Sequence, residues 1–359
     1  MDKSERKFDI LYSIVRDYIK TAEPVGSRTL EKKYNIGISS ATIRNEMADL
    51  EEMGFLLQPH TSAGRIPSNK AYRLYVDRFM KSVDVDTYIK DDVRELYSRY
   101  FGELNEVMQK TAQILTKLTN LTALVTTPNI SGLNIKDIRL LHIDADRVLL
   151  VVITKEGIVK NTELKLSLIP SANQLERLTN FLNLCAKDMQ TEISVKSFAN
   201  AIDALSAAEQ KMLADVVEAI KVLFNQDSAS RLYSSGITEI FNYPEFSNNM
   251  DKAKNFLEAI NRQELISQLM SEMSDDGDGG LNIKIGEETQ IEELSECSVI
   301  SATYKLNGKP IGSIGLIGPT RIDYDYCVSV INTLTNELTN HLNESIGGNT
   351  HDGKGEREN

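Results

Sequence analysis

The sequence predicts an α+β, multidomain protein: a small helical head that ends in a hairpin, then a body in which helices alternate with antiparallel strands. Three observations carry that reading. Across residues 21–67 two short amphipathic helical patterns are followed by a glycine and two short apolar strands around a polar tip. Across residues 121–166 lie four β-branched or apolar runs, the last three joined by connections of hairpin length. From Leu281 to Ile317 three more strand-like runs appear, and a long helical stripe closes the fold.

The opening helix spans residues 5–20, where Phe8, Leu11, Val15, Tyr18 and Ile19 recur at helical spacing and pack under the helices that follow. Ser27 is read as the N-cap of the next helix, with Leu30 and Tyr34 four apart on one face, and residues 35–37 break it. Ser39 or Ser40 caps a third helix, which runs to about Met53 before Gly54. There Ile43, Met47 and Leu50 point inward. At ~100° per residue the opposite face carries Ala41, Asn45 and Ala48, flanked by Thr42 and Arg44. Residues 55–58 read as a strand, residues 60–65 as a tip and Ile66 as the returning strand. Pro67-Ser68 restarts the chain as a helix with Ser68 as cap and Tyr72, Tyr75, Val76 and Phe79 on its apolar side.

The outer face of the third helix fits a DNA groove. Ala41 and Ala48 are small enough to let a helix sink between phosphates, Arg44 and Asn45 can grip guanine or adenine edges, and Ser40 and Thr42 can reach phosphate. Helix, turn, helix and hairpin in that order make a winged helix whose second paired helix is the reader. Arg65 and His60 in the hairpin are assigned to the DNA backbone or minor groove, His60 reading equally as a solvated turn residue. The full DNA-binding set expected is Arg28, Ser39, Ser40, Ala41, Thr42, Arg44, Asn45, His60, Thr61, Ser62, Gly64 and Arg65. Lys32, Lys70 and Arg73 are further phosphate candidates; Lys3, Arg6 and Lys7 could also touch phosphate, but read more readily as ordinary exposed cations.

SATIRNEMADLEEMGFL followed by QPHTSAGRIPS, flanked by EPVGSRTL and NKAYRLYVD, resembles the heat-inducible transcription repressor family HrcA. Reader helix and hairpin stand at the family's spacing, and the resemblance covers nearly the whole chain, more weakly past residue 85. It implies a GAF-like α/β body interrupted by an inserted dimerisation domain. The expected division is 1–85 winged helix, 86–135 and 231–345 GAF-like, 136–230 inserted, and 346–359 a disordered tail. The resemblance also implies a homodimer on double-stranded DNA at the inverted repeat called CIRCE ahead of chaperone operons, with the chaperonin GroEL favouring the active form. A different class of reading is a regulator whose GAF-like pocket senses a small molecule. A third is an enzyme fused to a DNA-binding head.

The body follows in order. Periodicity lapses over residues 81–87, which sets the boundary of the head. A helical tract then carries Val93, Leu96, Tyr100, Leu104, Val107, Ile114, Leu115 and Leu118. Strands are expected over 121–128, 138–144, 148–154 and 158–166, and helices from Pro170 to about Asn225. Leu175, Leu178 and Leu182 form one stripe. The other, Met212, Val216, Ile220 and Leu223, is widened by Leu213, Val217 and Phe224, so it suits either a subunit contact or an internal core. One helix is expected over 249–273, strands over 281–285, 298–306 and 311–317 with Asn307-Gly308 turning between the last two, and a closing helix through Cys327, Ile331, Leu334, Leu338 and Leu342.

Composition bounds the function. The 359 residues suit two or three domains, and 41% hydrophobic content is ample for real cores. No apolar run reaches the ~18–20 residues a membrane helix needs, and the charged start is not a secretory signal. Cys185, Cys297 and Cys327 are far apart with no CxxC, which disfavours disulfides and structural zinc and suits the cytoplasm. Residues 1–80 hold 13 Lys+Arg against 11 Asp+Glu, a charge of +2, so the rest carries −14 of the −12 total. A locally positive reading head on an acidic body favours base readout over indiscriminate coating of nucleic acid.

Catalytic and metal constellations are missing from the pattern. His60, His142, His341 and His351 are scattered without metal spacing. GKPIGSIGLIGP lacks the P-loop order, and no G-x-S-x-G is present. In the acidic loop 274–280, counting from Asp276 puts Leu281 where a calcium loop needs glycine. No enzyme, cofactor or metal is expected.

Overall fold

A computed structural model describes residues 3–34, 37–60, 63–81, 93–95, 97, 104–127, 135–144, 146–154, 159–188, 205–225, 232–275 and 280–347. The expectations for Thr61, Ser62, the boundary at 82–87, loop residues 276–279 and tail residues 348–359 lie outside them. The described elements mix helix and sheet, as expected for an α+β chain. Contacts divide the chain into two units: Met1–Thr127 with Leu232–Tyr304 and Gly312–Leu338, and Pro128–Arg231 with Lys305–Ile311 and Thr339–Asn359.

The first unit opens with α1, Lys3–Thr21, whose fully buried side chains are Ile10, Leu11, Ile14 and Val15. Phe8, Tyr18 and Ile19 of the expected stripe are only half-buried, so the true stripe is rotated toward Ile10 and Ile14. In α2, Ser27–Tyr34, the Gly26 carbonyl accepts from Leu30 N at 3.2 Å, so Gly26 rather than Ser27 stands at the cap. Helix α3, Ser40–Glu52, is capped by the Ser39 side chain, which accepts from Thr42 N at 3.3 Å. It stops at Met53 because Gly54 takes φ +77, a left-handed conformation that glycine adopts without strain. Ile43 and Leu50 are fully buried and Met47 nearly so. Strands β1, Leu56–Leu57, and β2, Ile66–Pro67, pair antiparallel, and α4, Asn69–Arg78, follows with Ser68 as cap.

The rest of this unit is a five-stranded sheet of order β7–β3–β10–β9–β8, preceded by α5, Leu104–Thr119. Its strands are β3 Thr122–Thr126, β7 Leu232–Ser235, β8 Leu281–Ile285, β9 Cys297–Leu306 and β10 Lys309–Pro319. Every residue of β3 is buried. Two helices, α9 Met250–Asn261 and α10 Gln263–Asp275, follow the short α8 Pro244–Ser247 and bury Phe256, Ile260, Ile266, Leu269 and Met270 against Leu124, Val299 and Ile317. The single helix expected over 249–273 is therefore two, broken at Arg262, whose ψ of 75° leaves the helical region. The closing helix α11, Tyr324–Gly347, starts with Tyr324 hydrogen-bonded to Ser298 at 2.7 Å.

The second unit holds the expected meander: β4 Ile135–His142, β5 Arg147–Thr154 and β6 Val159–Lys165, antiparallel in that order. Helices α6 Ala172–Asp188 and α7 Ala207–Asn225 cover one face, where Ile138, Leu140, Val148, Leu150 and Val152 meet Leu178, Phe181, Met212 and Val216. Of the stripe Met212, Val216, Ile220 and Leu223, the first two are buried in this core and the last two pack against it half-buried, so the stripe serves the internal core. Asn183 on α6 accepts from Ile138 N and donates to Ile138 O, both at 2.8 Å, closing one position of the β4 edge.

Candidate nucleic-acid interface

The outer face of α3 follows from its inner one. With Ile43, Met47 and Leu50 fixed in the core, Ala41, Arg44, Asn45 and Ala48 are exposed. Arg44 and Asn45 bond no other side chain or backbone among the described residues, so their donors and acceptors face solvent. Arg28 on α2 is likewise exposed and unpaired. Ser40 and Thr42 are half-buried at the amino end of α3, and the Thr42 hydroxyl lies 3.0 Å from that of Ser39. No acidic residue occupies the first turn, which leaves the positive end of the helix dipole uncompensated beside them.

The hairpin supports α3 more than it reaches outward. Arg65 N donates to Val25 O and Val25 N donates to Arg65 O, each at 2.9 Å. A Cβ on Gly64 would lie 2.4 Å from the Val25 oxygen, so only glycine passes under this bridge. Arg65 Nε donates to Glu51 at 2.8 Å, which ties the guanidinium to α3. His60 is exposed and its carbonyl accepts from Ala63 N at 2.9 Å.

The other cations named as phosphate candidates are divided sharply. Lys70 donates to the Met53 carbonyl at 2.9 Å and sits 4.5 Å over the Phe55 ring, closing the end of α3. Arg73 bonds the Glu288 carboxylate and the Ile283 carbonyl at 2.6 Å, which joins α4 to the sheet. That junction also has Tyr75 donating to Asp325 at 2.7 Å and Lys81 N donating to the same carboxylate at 2.8 Å. Burial and the Asp325 carboxylate hold the Tyr75 hydroxyl far above its usual range. Lys32 remains exposed and unpaired beside Arg28.

Two buried carboxylates of the head escaped the reading of the sequence. Glu46 on α3 has a side chain 5% exposed and accepts from Arg6 at 2.6 Å, with Lys7 3.7 Å away. Asp17 on α1 binds Lys33 and lies 3.3 Å from the Tyr34 hydroxyl, which ties α2 to α1. A glutamate three residues after Ile43 and four before Leu50 was the available signal, since that spacing places it at the edge of the buried face. Among the described residues no group of His, Cys, Asp and Glu can hold a metal ion.

The family model for the HrcA protein C terminal domain matches residues 105–328. The chain is also 41% identical over 340 residues, 94% of its length and 98% of the relative's, to the heat-inducible transcription repressor HrcA of Clostridium perfringens (strain 13 / Type A). The chain belongs to the HrcA family. Heat-inducible transcription repressors HrcA from Clostridium tetani (strain Massachusetts / E88), 39% identical over 96% of this chain and 97% of that protein, and Thermoanaerobacter pseudethanolicus (strain ATCC 33223 / 39E), 40% identical over 95% and 98%, are similarly close. A solved crystal structure described as a hypothetical protein shares the fold at a TM-score of 0.57 and 24% identity, over 95% of this chain and 98% of that one. HrcA relatives are transcription repressors and not enzymes. Repression of transcription is therefore the function of this chain.

Proposed function

We propose that the chain acts as a homodimer, with residues 1–85 forming a winged helix whose α3 enters the major groove of an inverted repeat. The observation that carries this is the outer face of α3, where Arg44 and Asn45 are exposed between Ala41 and Ala48 and free of internal partners. Arg44 and Asn45 take base edges; Ser39, Ser40, Thr42 and Arg28 take phosphates. His60, Thr61, Ser62, Gly64 and Arg65 lie against the flanking backbone. The five-stranded sheet with its helices is the GAF-like body, and residues 136–230 are the inserted domain.

Dimerisation is supported by the other side of the β4–β5–β6 sheet. Leu149, Val151 and Ile153 line it opposite the helix-covered core, with Leu141 and Val159 51% and 58% exposed beside them. The ion pairs Arg139–Asp137 at 2.8 Å and Arg147–Glu163 at 2.7 Å rim the patch. An apolar stripe with a polar rim suits a self-complementary contact, and a two-fold protein matches a two-fold operator. The family resemblance supports the remaining elements of this reading, in which the repeat is CIRCE, the chaperonin GroEL is the activator, and the complex works in the cytoplasm. No helix among the described residues is long and apolar enough to cross a membrane.

Footprinting of the purified full chain on genomic fragments, with and without GroEL, tests the whole reading. A protected inverted repeat upstream of chaperone genes, strengthened by GroEL, is the expected result. Protection that follows no repeat would refute sequence-specific recognition, and protection indifferent to GroEL would remove the chaperonin.

A further inference from the structure

The reader helix is gripped on both flanks by charge. On one flank Glu46 accepts from Arg6 at 2.6 Å and Asp49 binds Lys7, both cations coming from the first turns of α1. The Asp49 carboxylate also pushes the Lys7 ammonium pKa upward. On the other flank Glu51 binds Arg65 of the hairpin at 2.8 Å. Asp49 and Glu51 are two residues apart, hence roughly 200° around the axis at 3.6 residues per turn, and they stand about equally far on either side of Ala41. The face bearing Asn45 lies between the two grips.

Such an arrangement addresses a difficulty specific to reading bases. The core under α3 is made of Ile43, Met47 and Leu50, and apolar burial is non-directional, so it tolerates rotation of the helix about its own axis. Base recognition does not tolerate it, because a bidentate contact needs its donors placed to a fraction of an ångström. Hydrogen-bonded ion pairs supply direction. Glu46 is the one of these carboxylates with its side chain almost wholly buried, and a buried pair contributes little net stability compared with an apolar pair of like volume.

We propose that Glu46 is a positioning residue for DNA recognition: held by Arg6 on one side, and opposed by the Glu51–Arg65 pair on the other, it sets the roll of α3. It touches no DNA itself. The inference rests on α3 being the reader helix.

The test uses the full chain, a duplex carrying the footprinted inverted repeat and a scrambled duplex of the same composition. Two variants are compared with the parent: Glu46→Gln, and the double change Arg6→Met with Glu46→Leu, which replaces the pair by apolar groups and guards against simple unfolding. Both should lose about tenfold in affinity for the repeat while changing less than about twofold on the scrambled duplex, and the double variant should melt no lower than the parent. Variants that discriminate as the parent does would overturn the positioning role. Equal losses on both duplexes together with a lower melting temperature would overturn it too, showing a merely structural pair. A parent that binds both duplexes alike would refute α3 as a sequence reader, and the positioning role with it; that result is distinguished by the parent alone.

Discussion

Two surfaces of this molecule lack partners among the described residues, and they are opposite in chemistry. The outer side of α3 is narrow, set with alanines and two unpaired polar side chains, Arg44 and Asn45. The open face of β4–β5–β6 is broad and apolar along Leu149, Val151 and Ile153. An exposed arginine and asparagine retain their hydrogen-bonding capacity for a polar edge, while an exposed aliphatic stripe gains only by being covered. The difference teaches that lack of an internal partner is not one signal: its chemistry sets which class of partner to test, nucleic acid for the one surface and protein for the other.

The harshest way to break that comparison is to put a charge on the apolar face. Val151→Asp should turn the proposed dimer into a monomer in sedimentation equilibrium. Loss of the second head removes the advantage of linked binding, so affinity for a full inverted repeat should fall on the order of 10²-fold or more, with affinity for a single half-site little changed. Retention of the dimer would move the contact elsewhere and leave the open face unexplained. On the polar surface, Arg44→Ala should cost about 1–3 kcal/mol on the repeat and flatten discrimination at one base. Equal loss on random duplexes in the same mobility-shift assay would demote Arg44 to a phosphate anchor.

Between these lies the junction of α4 with the sheet. Arg73→Ala removes the bond to Glu288 and to the Ile283 carbonyl, and leaves a partly exposed carboxylate free to meet solvent. A loss of about 1–2 kcal/mol in urea unfolding is expected, since these are charge-assisted bonds at a half-buried site. Binding of the repeat by the folded protein should stay within about twofold. A large loss of binding with unchanged stability would place Arg73 on the DNA after all.

Most of the head was legible because its signals are local. Ser39 caps, Gly54 stops the helix, and the period between them decides which face is outer; all three need only neighbouring residues. Asn307-Gly308 was legible for the same reason, both residues taking positive φ, 50° and 81°, as a tight hairpin requires. What escaped depends on residues far apart. The strand Leu232–Ser235 has little apolar pattern of its own and exists by pairing with β3, 106 or more positions earlier in register, Thr126 opposite Leu232. Arg65, Lys70 and Arg73 looked alike as cations near the hairpin, yet Glu51, the Met53 carbonyl and Glu288 distinguish them. Composition counts charges; only the fold says which are already paired. Glu46 was missed by the same limit, since its partner lies 40 residues away.

The smallest expected effect concerns the covered side of the same sheet. Lys160 on β6 extends toward α7, its Nζ donating to the Leu223 carbonyl at 3.1 Å, and burial brings its pKa down from 10.5 to about 8. A lysine whose folded pKa lies below its unfolded one binds fewer protons in the native state between those values, so stability rises with pH from about 8 to 10.5. Below that window the full cost of the charged, partly desolvated ammonium is present. Lys160→Met should therefore raise stability by about 1 kcal/mol at pH 7, a figure reduced for the solvent that still reaches the group, and by almost nothing near pH 10.5. Denaturant unfolding of both proteins at the two pH values measures it. A gain independent of pH would show that methionine packs better for reasons unrelated to charge. A loss at pH 7 would show the carbonyl bond outweighing desolvation, and the covered face of this sheet would then tolerate charge where the head, at Glu46, holds its buried carboxylate against a cation.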